Sequence, residues 1–217
     1  RSLRANGEFN HHVPLAAPVQ YPSRVDLPIE PYTLGAWLGD GTTTNRSSPS
    51  AVAGLVNVTA VSPGRSHTCA LTNGGGLKCW GANTGGALGD GTNTDRQTPA
   101  DVSGFQAGAS AVSAGGEHTC ALTAGGGVKC WGYNFYGELG DGTTTQRLTP
   151  VDVTSLQTGV AAISAGASHT CALIASGGVK CWGSNFRGAL GDGSTTSRAI
   201  PADVLGLTSG VVAISAK

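Results

Sequence analysis

Apolar residues along this chain come in short β-type runs parted by glycine-rich polar turns, as in "HTCALTAGGGVKCWG" from His118 to Gly132. Two such runs about a glycine turn carry the signal of a β-hairpin. A loop, "YNFYGELGDGTTTQRLTP", then leads to "VDV" and, after a spacer, to "VAAISAG", two further β-type runs. The runs lack the 3.6-residue period that a helical solenoid would show.

The pattern repeats. "HTCAL" begins at His67, His118 and His169, and "KCWG" at Lys78, Lys129 and Lys180, both at a spacing of 51 residues. "GDG" begins at Gly39, Gly89, Gly140 and Gly191, so that residues 39–217 form one unit used about three and a half times. Four short strands per period of about 50 residues predict propeller blades.

Composition agrees with this and narrows the function classes. The 35 glycines and 10 prolines, spread through Thr-, Val- and Ala-rich segments, suit short strands joined by tight turns. Thirteen basic and thirteen acidic residues leave no electrostatic footprint for nucleic acid or an anionic membrane. No run of eighteen apolar residues predicts a transmembrane helix. The sequence begins at Arg1 and contains no Met, which predicts a processed or truncated product in which the missing signal peptide says nothing about secretion.

Cys69 and Cys79 lie symmetrically about Gly74, so a three-residue loop, "NGG", makes them cross-strand partners; Cys120 with Cys130 and Cys171 with Cys181 repeat the arrangement. Directly opposed Cβ atoms, roughly 4.5–5.5 Å apart, are near disulfide range. Three local disulfides are the simplest reading and imply an oxidising compartment. Free buried thiols and a metal centre are the alternatives. The last has only three good ligands per unit and none of the short Cys-x-x-Cys spacing of structural zinc, so no metal is expected. His67, His118 and His169 are expected to bond a neighbouring strand or loop. Lys78, Lys129 and Lys180 fall on the opposite strand face from the cysteines, solvated or packed by their stems. No nucleophile with a paired base recurs, so neither a catalytic residue nor a cofactor is expected.

The pattern "GxxHTCAL…GGGVKCWGxNxxGxLGDGTTTxRxTPxxV" resembles the regulator of chromosome condensation repeat, in the Cys-containing form of secreted bacterial proteins, over residues 39–217. The resemblance implies a β-propeller, usually of seven blades, that presents loops to partner proteins and has no chemistry of its own. One family member exchanges guanine nucleotide on a small GTPase, and some bacterial relatives inhibit secreted hydrolases such as β-lactamases. The shared turn and strand residues carry neither role to this chain. The expectation is a non-catalytic protein-binding scaffold, bacterial, outside the cell or on its surface, with the partner's identity open. An inhibitor of an extracellular enzyme is the alternative.

The repeats also provide an internal comparison. Positions constant in every unit serve the common blade: Asp40, Asp90, Asp141 and Asp192 are expected to cap the "GDG" turn. Arg46, Arg96, Arg147 and Arg198 follow at a fixed offset to pair with that Asp or a carbonyl. Specificity belongs where units differ. After "CWG" the chain reads "ANTGGA", "YNFYGE" and "SNFRGA", which singles out Tyr133, Phe135, Tyr136, Phe186 and Arg187 as candidate partner-binding residues. Packing of these aromatics between blades is the competing reading.

Residues 1–38 lack the unit. With the residues that follow, "LPIEPYTLGAWLGDG" resembles the join between an intein's splicing part and its LAGLIDADG homing endonuclease, over residues 1–41. That resemblance implies a helix whose terminal acid, here Asp40, binds a catalytic divalent metal beside DNA. No second acidic block, basic β-saddle or His-Asn pair accompanies it, so an inactive remnant is expected and Asp40 is read as a turn residue. A divergent first repeat, with an irregular arm over Pro14 to Pro31, is the alternative. The fold expected is therefore all-β: about 3.5 propeller repeats in an open or incomplete ring, with an irregular N-terminal arm. Its exposed end faces point to a fragment of a longer protein or to self-association that completes the propeller.

Overall fold

The computed structural model describes residues 39–44 and 50–216; the expected arm over 1–38, its intein-like block and Arg46 lie outside the described residues. The described chain is all β, in three four-stranded antiparallel sheets whose consecutive strands are neighbours. The first blade is β1 (Val58–Pro63), β2 (His67–Thr72), β3 (Leu77–Gly81) and β4 (Arg96–Asp101). The second is β5 (Ala109–Ala114), β6 (His118–Thr123), β7 (Val128–Gly132) and β8 (Arg147–Asp152). The third is β9 (Val160–Ala165), β10 (His169–Ile174), β11 (Val179–Gly183) and β12 (Arg198–Asp203). These are propeller blades in an incomplete ring. The first strands β1, β5 and β9 lie side by side and are innermost.

The arc continues past the third sheet. Val211 N donates to Gly177 O at 3.1 Å, as Val160 N does to Gly126 O and Ala109 N to Gly75 O at 3.0 Å. Residues 211–216 thus take the place of a further first strand.

The central hairpin of each blade follows the predicted register. Cys69 faces Cys79, Cys120 faces Cys130 and Cys171 faces Cys181. Thr72 N donates to Gly76 O and Gly75 N to Thr72 O, each at 2.9 Å, closing the three-residue loop. Its last residue, Gly75, has φ +75°, the left-handed position that such loops reserve for glycine. All six cysteines form disulfides within their hairpins, with Cα atoms 4.1 Å apart, the close spacing of a non-hydrogen-bonded pair.

The outer strand needs a correction. The sequence suggests a run at "VDV", but β8 begins at Arg147 and ends at Asp152, and its counterparts begin at Arg96 and Arg198. As the exposed edge strand it carries polar residues and a proline, so its hydrophobic pattern does not mark its start. The lysines opposite it are paired: Lys78, Lys129 and Lys180 donate to Asp101, Asp152 and Asp203 at 2.6–2.7 Å. These exposed pairs contribute little to stability.

Successive blades are joined by a polar chain inside an apolar seam. His67 Nε2 lies 2.8 Å from Thr119 Oγ1, and the Thr119 hydroxyl donates to Ala87 O at 2.8 Å. Having given its only proton to the carbonyl, the hydroxyl accepts from His67, which places the histidine proton on Nε2. His118, Thr170 and Glu138 O repeat the chain at 2.9 and 3.1 Å. Around it each tryptophan packs into the preceding blade: Trp131 shares a core with Leu88, Val102 and Phe105, and Trp182 with Leu139, Val153 and Leu156. Their indoles donate to Ala87 O and Glu138 O at 2.9 and 2.8 Å.

Burial holds both ring systems neutral, pulling His67 down to about 4 and His118 to about 3, the latter helped by charge on His67 and His169. These folded values lie below the ordinary unfolded value near 6.5, so the unfolded chain binds more protons as pH falls. The histidine contribution is therefore complete above pH 6.5 and is lost on descending from about 6.5 toward 3. Urea unfolding should show stability falling between pH 7 and pH 4.5. In a His118→Asn variant the fall should be smaller by about 2 kcal/mol. Equal pH slopes in the two proteins would contradict the buried neutral imidazole.

Candidate functional site

Strand directions place two sets of loops at one end of the blades. The β1–β2 turn and the long segment after β3 share that end, and the three-residue hairpin loop shares the other with the link from β4 to β5. The shared end combines a constant frame with variable side chains.

The frame is built on an asparagine that sequence reasoning did not single out. Asn134 is 1% exposed; its Oδ1 accepts from Leu139 N at 2.9 Å, and its Nδ2 donates to Thr143 O, Thr145 O and Asp141 Oδ1 at 3.1, 3.0 and 3.3 Å. Asn83 and Asn185 hold their loops in the same way. The signal was available, because asparagine stands one residue beyond "CWGx" in all three units. Losing the side chain would leave the buried Leu139 amide without an acceptor, at about 1–3 kcal/mol.

The aspartates take the expected turn role. Asp141 Oδ1 accepts from the Thr143 amide and hydroxyl at 2.9 and 2.7 Å, and Oδ2 from Arg147 at 2.9 Å. Asp90 with Thr92 and Arg96, and Asp192 with Ser194 and Arg198, repeat the arrangement. Burial opposes ionisation of Asp90 and Asp141, but the threonine and arginine donors outweigh it and hold both carboxyls below the usual range. Asp192, held chiefly by the Ser194 hydroxyl, is lowered too. The glycines of the turn have a packing reason as well as a conformational one. A Cβ on Gly89, at φ +70°, would lie 2.6 Å from Trp131 Nε1, so the turn seats the next blade's indole.

Asp40 belongs to this series. Its Oδ1 accepts from the Thr42 amide and hydroxyl at 2.9 and 2.7 Å, and a Cβ on Gly39 would lie 2.7 Å from Trp80 Nε1. Its carboxylate serves a propeller turn.

The variable residues stand out from the frame. Phe135 is 64%, Tyr136 43% and Phe186 74% exposed, which corrects the alternative that these three pack between blades. Tyr133, half-buried, stacks on Phe135 with centroids 6.4 Å apart, and Phe135 meets Tyr136 edge-on at 5.0 Å. Arg187 lies over the Phe186 ring at 5.3 Å from its own left-handed conformation, φ +63°, where the first blade has Gly85. A non-glycine residue there carries strain.

The inner turns join this surface. Tyr133 N donates to Glu117 O at 2.9 Å, as Ala82 N does to Ser66 O. Arg65, Gly116 and Ala167, which also differ between units, line a groove of about 320 Å³ together with Gly64, Gly115 and Gly166. Among the described residues no group of three or more His, Cys, Asp or Glu converges as metal ligands. Glu138, absent from the sequence expectations, is 1% exposed at a position where the other two units have Ala87 and Ala189. Burial raises its carboxyl above the usual value.

Comparison with known proteins follows the blades. The Regulator of chromosome condensation (RCC1) repeat matches residues 75–122 and 126–173, and a second form of the same repeat matches 58–87, 109–138 and 160–189. The ultraviolet-B receptor UVR8 of Arabidopsis thaliana is 32% identical over 170 residues, covering 76% of this chain and 38% of the receptor. The human probable E3 ubiquitin-protein ligase HERC4 is 34% identical over 175 residues, which are 78% of this chain and 17% of that protein. Human WBSCR16 superimposes with a TM-score of 0.71 at 27% identity, covering 83% of this chain and 49% of that one. Prp20p of Saccharomyces cerevisiae superimposes at 0.68 with 19% identity, covering 77% and 44%, a likeness of fold. The chain thus spans less than half the length of each of these relatives.

Proposed function

Because this chain belongs to the regulator of chromosome condensation (RCC1) repeat family, we propose that it is a non-catalytic scaffold whose loop face binds a protein partner. The observation that carries this is the exposure of Phe135, Tyr136 and Phe186, with Arg187, at positions where otherwise repeated units differ. Large rings left in water on rigid loops are suited to anchoring an interface. The fold supports such a role elsewhere: Prp20p binds Gsp1p and histones. We further propose that the chain acts outside the cell or on its surface, on the support of one disulfide per blade.

A second reading concerns the ends of the arc. Leu207 is 43% exposed, whereas its counterparts Phe105 and Leu156 are 4% and 3% exposed under the following blade. Leu205 and Val212 beside it are 68% and 93% exposed. We propose that a second copy of the chain covers this face. Light scattering at micromolar concentration should give twice the chain mass for the native protein, and a Leu205→Glu/Leu207→Glu variant should halve it. A native monomer at that concentration would sink this reading.

The loop-face proposal has its own test. Capture from the medium of the source culture, followed by mass spectrometry, should recover a partner that a Tyr133→Ala/Phe135→Ala/Tyr136→Ala variant loses by tenfold or more. Changing Lys129 on β7, away from the loops, should leave capture unaltered. Undiminished capture by the triple variant would remove the loop face as the binding site.

A further inference from the structure

Glu138 is a buried carboxylate that, among the described units, only the second blade carries. Its backbone carbonyl serves the seam by accepting from Trp182 and Thr170, and Ala87 O accepts from Trp131 and Thr119 in the same way. That task needs no side chain, and the neighbouring units have alanine at this position. The carboxylate is therefore an addition specific to the second blade.

The backbone amides of residues 136–138 favour the charged form of this carboxylate against burial, but its hydrogen bonding is incomplete. Oε2 accepts from Tyr136 N at 2.8 Å, but the buried Oε1 has no hydrogen-bond partner among the described residues. An unsatisfied buried oxygen works against stability, the more so on a charged group. Such a group at one repeat of three, beneath the loop that carries the exposed rings, points to a ligand that supplies the missing donor.

The surroundings define its chemistry. Tyr133 N donates to Glu117 O at 2.9 Å, which sets Glu117 beside this loop, and charge on Glu117 adds to the upward push that burial gives Glu138. The site thus combines two carboxylates with the faces and edges of Tyr133, Phe135 and Tyr136. A divalent cation finds too few ligands, since no group of three or more His, Cys, Asp or Glu converges among the described residues. A guanidinium fits better, because it is planar, weakly hydrated, carries paired donors for a carboxylate and stacks on aromatic rings. The chain shows half of this arrangement one blade on, where Arg187 lies over Phe186.

We propose that Glu138, with Glu117 and the Tyr133–Phe135–Tyr136 cluster, forms a receptor for an arginine side chain of the protein partner. The inference rests on the loop-face reading and specifies its chemistry. Bound there, the guanidinium would give Oε1 the charged donor that it lacks among the described residues.

The test uses the whole chain and two probes, the peptide acetyl-Gly-Arg-Gly-amide and its citrulline counterpart, which keeps the shape without the charge. The sequence has four glutamates, so carbon-13 labelling of their carboxyls gives few resonances, and Glu138→Gln assigns the one that matters. The arginine peptide should shift the Glu138 carboxyl saturably. Its affinity should fall about tenfold or more with citrulline, with Glu138→Ala or with Glu138→Gln. Glu138→Ala should unfold at the same or a higher temperature, since the other units carry alanine there; a lower midpoint would mark the carboxylate as a structural element and overturn the proposal. Equal affinity for the two peptides, or no saturable shift at Glu138, would overturn it as well. Loss of both peptides only in the aromatic triple variant would do so while leaving the loop-face reading in place, and undiminished partner capture by that variant would remove the loop-face reading itself.

Discussion

The hydroxyl of Thr119 holds the first two blades together, and its counterpart Thr170 holds the next two. Each accepts from a histidine of the preceding blade and donates to a loop carbonyl that an indole also reaches. A chain of this kind inside an apolar seam tolerates no shift, because slipping one blade would strand several buried polar groups at once. It explains why His, Thr, Trp and the seam-facing glycine recur at one spacing, and why the histidines are buried without charge.

A seam fixed in this way makes the loops at one end of the blades rigid platforms. Asparagine, aspartate and arginine bind each loop to itself, leaving two or three positions per unit free to vary without loss of the turn. Those positions hold exposed rings, a left-handed arginine and a buried acid with an orphaned oxygen. Each works against solubility, backbone preference or stability, in a chain whose other repeats show a cheaper residue at the same place. Departures from local consistency concentrated on one face are the mark of a binding surface.

The hairpins and their cysteine pairs were legible in the sequence because both depend on local symmetry: cysteines ten positions apart about a glycine turn leave one register. The turn role of the aspartates was legible from constancy across units. What escaped depends on contacts across the seam or on exposure. The pairing of Gly89 with Trp131 joins residues in different blades, and no local pattern reports it. The start of β8 was hidden because an outer strand need not be apolar. Glu138 was hidden because an acid within a polar loop looks solvated until the following blade is placed over it.

The central claim is that the repeated residues build the blades while the variable loops at one end bind the partner. Amide hydrogen exchange on the chain with and without its captured partner tests it most directly. The account predicts new protection at residues 116–117, 133–138 and 184–188, with none at the opposite hairpin loops 124–127 or 175–178. Protection confined to those opposite loops would contradict it.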